Sequence, residues 1–426
     1  MKVFKFGGAS VNSAAAIRNV GSILESYKKE RPVVVFSAMG KTTNALEEVS
    51  EAAFFRQHQF EDKLKVFALY HGEIIDSLFH NEAEPALNDL DKALGSIRLL
   101  AAEIDCGFDE FYDRIVPFGE WLSTRIISLY LKYEGISNIL IDAGQLIKTN
   151  DRFRDAAPDW QKSCEQIQKL CTAARENHPQ DILITQGFIG QSLSGKPVTL
   201  GREGSDFTAA MLAYCLDAEQ MVVWKDVEGL LNADPVFFGV TRCIPRLSYR
   251  EAIELSFFGA KILHPKTIKP LQNKSIPLYI KSFSNPDAPG SMIHDSKDAD
   301  HLIPFLILKQ DQVLMSFSSR DFSFVAEDKL QRLFEAFNRF NIKINLMQNA
   351  AISFSVCINH PKEKLSLLID DLNMEFYIRY NDGLELLTIR HFTDEIIDQY
   401  LGDRTILIEQ RSRRTFQAVY ASQSHL

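Results

Sequence analysis

The apolar positions change rhythm along the chain. From the start, short continuous apolar runs alternate with longer stretches that keep one apolar face. Val3, Phe4 and Phe6 suit a strand interior. After Gly7-Gly8, Asn12 or Ser13 can cap a helix in which Ile17, Val20, Leu24 and Tyr27 share one side. Pro32–Met39 is a fully apolar run of the kind found in a central parallel strand. Residues 45–104 read as helical, with Leu64, Phe67, Ala68, His71, Ile74, Ile75 and Leu78 on one stripe and a break at Asn81–Pro85. His71 on that stripe reads as a core histidine.

A helix opening at Val116–Thr124 carries Glu120 in its first turn, where the helix dipole favours a carboxylate. Asn138–Asp142, Asp181–Gly190, Gln220–Trp224 and Pro277–Phe283 read as strands, with a helix through Trp160, Ile167 and Leu170 between the first two. Strands alternating with helices imply a parallel sheet covered on both faces. A helix ends at Gly259, and His264 before Pro265 reads as structural. Residues 285–300 read as a polar linker.

From about Ile303 the rhythm is different. Strand, helix and strand pair follow one another twice, the second time abbreviated, which gives an antiparallel sheet with helices on one face. The expected organisation is a first domain at 1–290, a linker at 291–302 and a tandem region at 303–426 whose second copy is abbreviated.

Composition narrows this picture. The 426 residues suffice for two or three domains, and a net charge of −9 gives no general reason to expect nucleic-acid binding. No apolar segment reaches membrane-spanning length, and the first residues read as a strand, not a signal peptide. The six cysteines show no C-x-x-C spacing. Neither zinc nor a disulfide framework is expected, and a reducing cytoplasm fits best.

The chemistry concentrates at two glycine-rich turns. At Lys5-Phe-Gly-Gly-Ala-Ser10, Gly7 and Gly8 let backbone N–H groups approach a phosphate, and Lys5 can neutralise it. The competing reading is an edge strand with an exposed lysine. Gly40-Lys41-Thr42 invites a P-loop reading, but Val35 stands where that motif needs a glycine. At Thr199–Asp206, Arg202 offers a planar fork for a carboxylate, and Gly204 and Ser205 offer N–H groups at a helix start. Asp206 is a plausible helix cap or a partner for lysines. Lys225-Asp226 follows a buried strand, and Lys261 lies in an apolar stretch that calls for an anionic partner.

Together these motifs resemble aspartate kinase, within the amino acid kinase family, along nearly the whole chain. The resemblance rests on the two turns, Ser37-Ala-Met-Gly with Thr43-Asn44, Phe118-Gly-Glu120, Gln186-Gly-Phe188, Trp224–Gly229 with Asp234-Pro235, and Gly259–Pro265. It implies a three-layer αβα sandwich with a mostly parallel central sheet, followed by α+β ACT-like (βαββαβ) domains. It also implies ATP-dependent phosphorylation of the β-carboxylate of L-aspartate. In that scheme Lys5, Asp206 and Lys261 are catalytic. Ser37, Thr43, Glu120, Phe188, Arg202, Gly204 and Ser205 hold the aspartate, with Glu120 at its amine and Arg202 on its α-carboxylate. Gly7, Gly8, Ser10, Lys225, Asp226, Leu231, Asp234 and Lys261 meet the nucleotide. Mg2+ is carried mainly by the phosphates, with no protein metal site. Lysine or threonine is the implied effector, and a homo-oligomer the implied assembly.

The chain departs from the family pattern at Ala9 (usually Thr), Glu203 (usually Gly), Leu231 (commonly Tyr), Val236 (usually Arg) and Asp321 (usually Gly). Two alternatives stay open: within the fold, a kinase for another acidic amino acid, and, given Glu203 and Val236, a catalytically weak amino-acid-binding regulator.

Overall fold

The computed structural model describes residues 1–260, 262–295, 303–321 and 323–421. The chain divides into two compact units. One holds the described residues of Met1–Leu230, Cys243–Ile253 and Ile262–Asp300; the other holds those of Leu231–Arg242, Glu254–Lys261 and His301–Leu426.

The first unit begins with β1 (Lys2–Phe6), a one-turn 3-10 helix at Gly8–Val11, α1 (Ala14–Ser26) and β2 (Val33–Phe36). Ser13 caps α1 by accepting the Ala16 N–H. Four helices follow, α2 (Thr42–Phe54), α3 (Phe60–Phe79), α4 (Glu84–Ala102) and α5 (Phe108–Ile115), and then α6 (Phe118–Tyr133). Next come β3 (Asn138–Leu140), α7 (Ala143–Leu146), β4 (Lys148–Thr149), α8 (Trp160–Asn177), β5 (Ile182–Gln186), β6 (Ile189–Ser192) and β7 (Pro197–Thr199). Then come α9 (Gly204–Cys215), β8 (Gln220–Lys225), the short β9 (Leu230–Leu231), β10 (Cys243–Ile244) and β11 (Arg246–Ser248), α10 (Tyr249–Phe258), α11 (Pro265–Asn273), β12 (Leu278–Ser282) and β13 (Ser291–His294), with Leu231 and residues 254–258 assigned to the second unit.

Eight strands form one sheet in the order β11-β13-β12-β8-β1-β2-β5-β3. From β12 to β3 every pairing is parallel. β13 joins β12 antiparallel. Ser291–His294 is therefore sheet where the sequence suggested linker. The alternation of side chains assigns the layers. Phe4, Phe6, Val34, Phe36, Ile184 and Trp224 enter a core with α1 to α6. The intervening residues, including Lys5, face the other side, where α9 packs on β1, β2 and β8. β1 is thus central, which rules out the edge-strand reading of Lys5.

His71 is fully buried, and burial pulls its pKa down to about 4. Its Nδ1 lies 2.8 Å from Phe67 O and its Nε2 3.5 Å from Thr42 Oγ1, as befits a neutral core histidine. A disulfide joins Cys164 of α8 to Cys215 of α9. Cysteine spacing gave no sign of it, because tertiary packing brings two neighbouring helices together.

In the second unit, β14 (Phe305–Ser319), α12 (Glu327–Arg339), β15 (Ile344–Asn349), β16 (Ser353–Asn359), α13 (Lys364–Leu372), β17 (Phe376–Arg390), α14 (Asp394–Leu401), β18 (Ile406–Arg411) and β19 (Thr415–Ala421) follow in order. They form one antiparallel sheet, β15-β16-β14-β17-β19-β18. The two expected copies share it, because β14 and β17 are each long enough to serve both halves.

Candidate active site

Phe6 stands in register with Phe36 and Trp224, and Phe36 with Gln186. Four parallel strands therefore end level, and Gly7, Ser37, Gly187 and Lys225 come together at the carboxyl edge. This edge is where open α/β sheets bind ligands. Backbone hydrogen bonds fix the first turn: Ser37 N donates to Phe6 O (3.2 Å), and Gly40 N donates to Gly8 O (3.0 Å). A Cβ on Gly8 would lie 2.7 Å from Gly40 O, so only glycine fits. Ser10 points inward, donating to Trp224 O at 3.3 Å.

Lys5 is buried on the α9 face, and its Nζ lies 2.8 Å from Asp206 Oδ1. Asp206 sits in the first turn of α9, whose N-cap is Glu203. The helix-cap reading of Asp206 therefore does not hold. Lys225 Nζ donates to Ile262 O at 2.7 Å, and burial lowers its pKa. Asp206 and Glu203 work against that shift, and Lys5 adds to it.

Glu120 is almost fully buried in the first turn of α6. Burial pushes its pKa up to about 8, although the Ala38 and Glu120 N–H groups and Lys5 favour the charged form. Among the described residues its Oε2 has no hydrogen-bond partner. The site thus sets the Lys5 and Lys225 side chains beside the Asp206 carboxylate, while burial holds Glu120 toward its neutral form. A ligand ammonium would restore the charge on Glu120.

At the second turn Arg202 is exposed at the surface beside buried Gly204, Ser205 and Asp206. A Cβ on Gly187 would lie 2.5 Å from the Ser205 Cβ, so the turn after β5 meets the start of α9 through a contact that glycine alone permits. Phe188 adopts a left-handed backbone (φ 70°) and lies half-buried beside Gly204. Ser37 is half-buried, its carbonyl accepting the Ser123 hydroxyl at 2.8 Å, and Thr43 lies half-buried near the start of α2. Asp226 is exposed just past β8. Leu231 and Asp234 belong to the C-terminal unit, where Asp234 Oδ1 accepts the Val236 N–H at 3.0 Å. Lys261 lies outside the described residues.

Glu203 does more than its charge suggested. It takes a left-handed conformation (φ 55°), and its Oε2 accepts the His264 N–H at 2.5 Å. His264 Nδ1 accepts the Lys266 N–H and caps α11, a structural role.

A mostly parallel α/β body whose glycine-lined carboxyl edge carries Lys5, Lys225 and Arg202 is of the class that binds small charged metabolites. Residues 1–282 match the model of the amino acid kinase family. Lysine-sensitive aspartokinase 3 of Escherichia coli is 30% identical, with 91% of this chain and 86% of that protein covered. Chloroplastic aspartokinase 2 of Arabidopsis thaliana is 29% identical over 84% of this chain. The chain spans 66%, 63% and 65% of the lengths of three plant relatives. A structure of E. coli aspartokinase III in complex with aspartate and ADP superposes with a TM-score of 0.83 at 26% identity, covering 99% of this chain and 96% of that one. The chain belongs to the amino acid kinase family and, within it, to the aspartokinases.

Proposed function

We propose that the protein transfers the γ-phosphoryl group of ATP to the β-carboxylate of L-aspartate, giving 4-phospho-L-aspartate at the entry to lysine, threonine and methionine synthesis. The observation that carries this reading is the buried Lys5–Asp206 pair at a glycine-lined strand edge, with Glu120 protonated close by. The E. coli relative binds aspartate and ADP on the same fold.

An aspartate side chain, with a pKa of ~3.9, is already a nucleophile at neutral pH. No general base is required, so the residues position the reactants and neutralise charge. Asp206 holds Lys5 against the turn that ends β1, where its ammonium steadies the phosphoryl group in flight. Gly7 and Gly8 supply N–H groups, and Ser10, Lys225, Asp226 and Lys261 attend the nucleotide, with Leu231 and Asp234 assigned there by resemblance. Arg202 takes the α-carboxylate, and Glu120 takes the ammonium as its own proton leaves. Ser37, Thr43, Phe188, Gly204 and Ser205 complete the aspartate pocket. Mg2+, when bound with ATP, screens the phosphate charge; the exposed Asp226 carboxylate beyond β8 suits contact with it.

Regulation by lysine is part of the same reading, supported by a structure of the E. coli relative in complex with lysine and aspartate. In the C-terminal unit, Asp321 accepts hydrogen bonds from Ser319 Oγ and from Ser323 N and Oγ, which hold its pKa below the usual carboxylate range. Asp321 stands where the family has glycine. A homo-oligomer completes the proposal, supported by the two outer strands of the C-terminal sheet, β15 and β18.

A hydroxamate-trapping assay with MgATP and a panel of acidic amino acids tests the activity. Turnover with aspartate alone is expected. Turnover with glutamate instead, or aspartate binding without turnover, would overturn it. Added lysine or threonine identifies the effector, and light scattering gives the assembly.

A further inference from the structure

The guanidinium of Arg202 is exposed, but the backbone that delivers it is fastened group by group. Thr199 N donates to Asp113 Oδ2 (3.0 Å), and Thr199 O accepts from Ala156 N (3.0 Å). Leu200 N donates to Phe188 O (2.9 Å), and Leu200 O accepts from Lys266 Nζ (2.8 Å). Gly201 O accepts from Gly204 N (3.0 Å). Gly201 itself is left-handed (φ 70°), and a Cβ there would lie 2.5 Å from Asp155 Oδ1.

One side chain ties this segment to a second one. Asp113 of α5 is fully buried. Besides Thr199 N, it accepts from Thr199 Oγ1 on Oδ1 (2.8 Å) and from Arg154 N on Oδ2 (2.8 Å). Arg154 is also left-handed (φ 66°), so its N–H is presented by a conformation that needs holding. The Arg154 guanidinium stacks over Tyr112 at 4.3 Å and lies 3.4 Å from both Glu47 and Asp109. A buried carboxylate that accepts three hydrogen bonds is a rigid junction. Burial lifts the Asp113 pKa to about 6, so at pH 7 and above it serves as an acceptor only.

We propose that Asp113 is a positioning residue for the amino-acid substrate: it pins Thr199 and Arg154 from beneath and so sets where Arg202 presents its fork. The proposal rests on the reading that Arg202 holds the α-carboxylate.

The test is a panel of full-length variants assayed for aspartate KM, ATP KM and kcat. Asp113→Ala leaves two buried N–H groups without an acceptor, and aspartate KM is expected to rise about tenfold while ATP KM stays within about twofold. Asp113→Asn can accept both N–H groups on its oxygen and donate to Thr199 Oγ1, so its aspartate KM is expected within about twofold of wild type. An unchanged aspartate KM in a folded Asp113→Ala protein overturns the proposal, as does an equal rise in both KM values. If Asp113→Ala yields no folded protein, Thr199→Val decides beside Asp113→Asn. A rise of about threefold in aspartate KM with the first and none with the second supports the role; equal rises, or none, sink it. Arg202→Ala separates the two readings. If it leaves aspartate KM unchanged, the assignment of Arg202 fails. If it raises KM while Asp113→Ala does not, only the positioning role fails.

Discussion

The two glycine-rich turns of the kinase unit are built on different principles. The turn after β1 is held by main chain: Ser37 N on Phe6 O, Gly40 N on Gly8 O, and two strands in register on either side. The turn before α9 adds to its main-chain bonds side chains from far along the sequence, Asp113 under Thr199 and Lys266 on Leu200 O, while its own Glu203 reaches the His264 N–H. A turn of the first kind tolerates little change at its own residues. A turn of the second kind can be altered from a distance.

The largest effect should come from the first turn. Lys5→Ala removes the preorganised cation, and turnover is expected to fall by roughly 10²–10³-fold, or ~3–4 kcal/mol. It also strands a buried Asp206, so a thermal melt must accompany the kinetics. Near-wild-type turnover in the folded variant would remove Lys5 from the chemistry. Next in size, Gly8→Ala forces a Cβ against the Gly40 and Ala38 carbonyls, at 2.7 and 3.0 Å. A stability loss of about 1–3 kcal/mol by urea titration is expected. No loss would show that this turn yields more easily than its main-chain bonding implies.

Glu120 sharpens the comparison through pH. Its folded pKa, about 8, is above the ordinary glutamate value of ~4.3. The folded state therefore binds the proton more tightly, and this contribution to stability is lost as pH rises from about 4.5 through 8. Glu120→Gln should flatten the pH dependence of stability over that window. Aspartate binding needs the ionised form, so affinity should rise with pH, by at most about tenfold per unit, up to 8 and then level. A pH-independent aspartate affinity between 6 and 8 would take Glu120 off the substrate amine.

This contrast also explains what could be read from the chain beforehand. Gly7, Gly8 and Lys5 were legible because strand, glycine pair and lysine are adjacent in sequence, and main-chain geometry does the rest. Arg202 and Asp206 were legible as residue types, but the supports of their turn were not. Asp113 lies on the apolar face of a short helix between Phe111, Tyr112 and Ile115. An aspartate in that company is a signal, since a buried carboxylate needs donors, but the sequence cannot say that they come from residues 154 and 199. The glycines at 187 and 190 suggested a bend in the chain, but the support of the turn after Gln186 was hidden for a related reason. Phe188 takes a left-handed backbone only because Thr208 Oγ1 and Leu200 N bind its N–H and carbonyl. In the C-terminal unit the alternation was strong enough to give both copies. The fusion of two short strands into β17 left no mark, because Asn381-Asp-Gly383 reads as a turn.

The smallest expected effect lies at Glu203, where the side-chain-held turn departs from its family. Glu203→Gly removes a strained left-handed side chain, a gain of ~1–2 kcal/mol, and loses a charge-assisted bond to the His264 N–H, a cost of similar size. Stability should therefore move by less than about 1 kcal/mol. The charge is another matter. Glu203 is exposed, and its field reaches Lys225. Removing it should lower ATP KM about two- to fivefold at low ionic strength, with the gain fading as salt screens the site. The aspartate KM should stay put, since Asp113 and Lys266 still fasten the segment before Arg202. If aspartate KM rises while ATP KM does not fall, the glutamate matters as a strut to the His264 loop and not as a charge. The second turn would then depend on one more distant side chain than the bonds around Thr199 reveal.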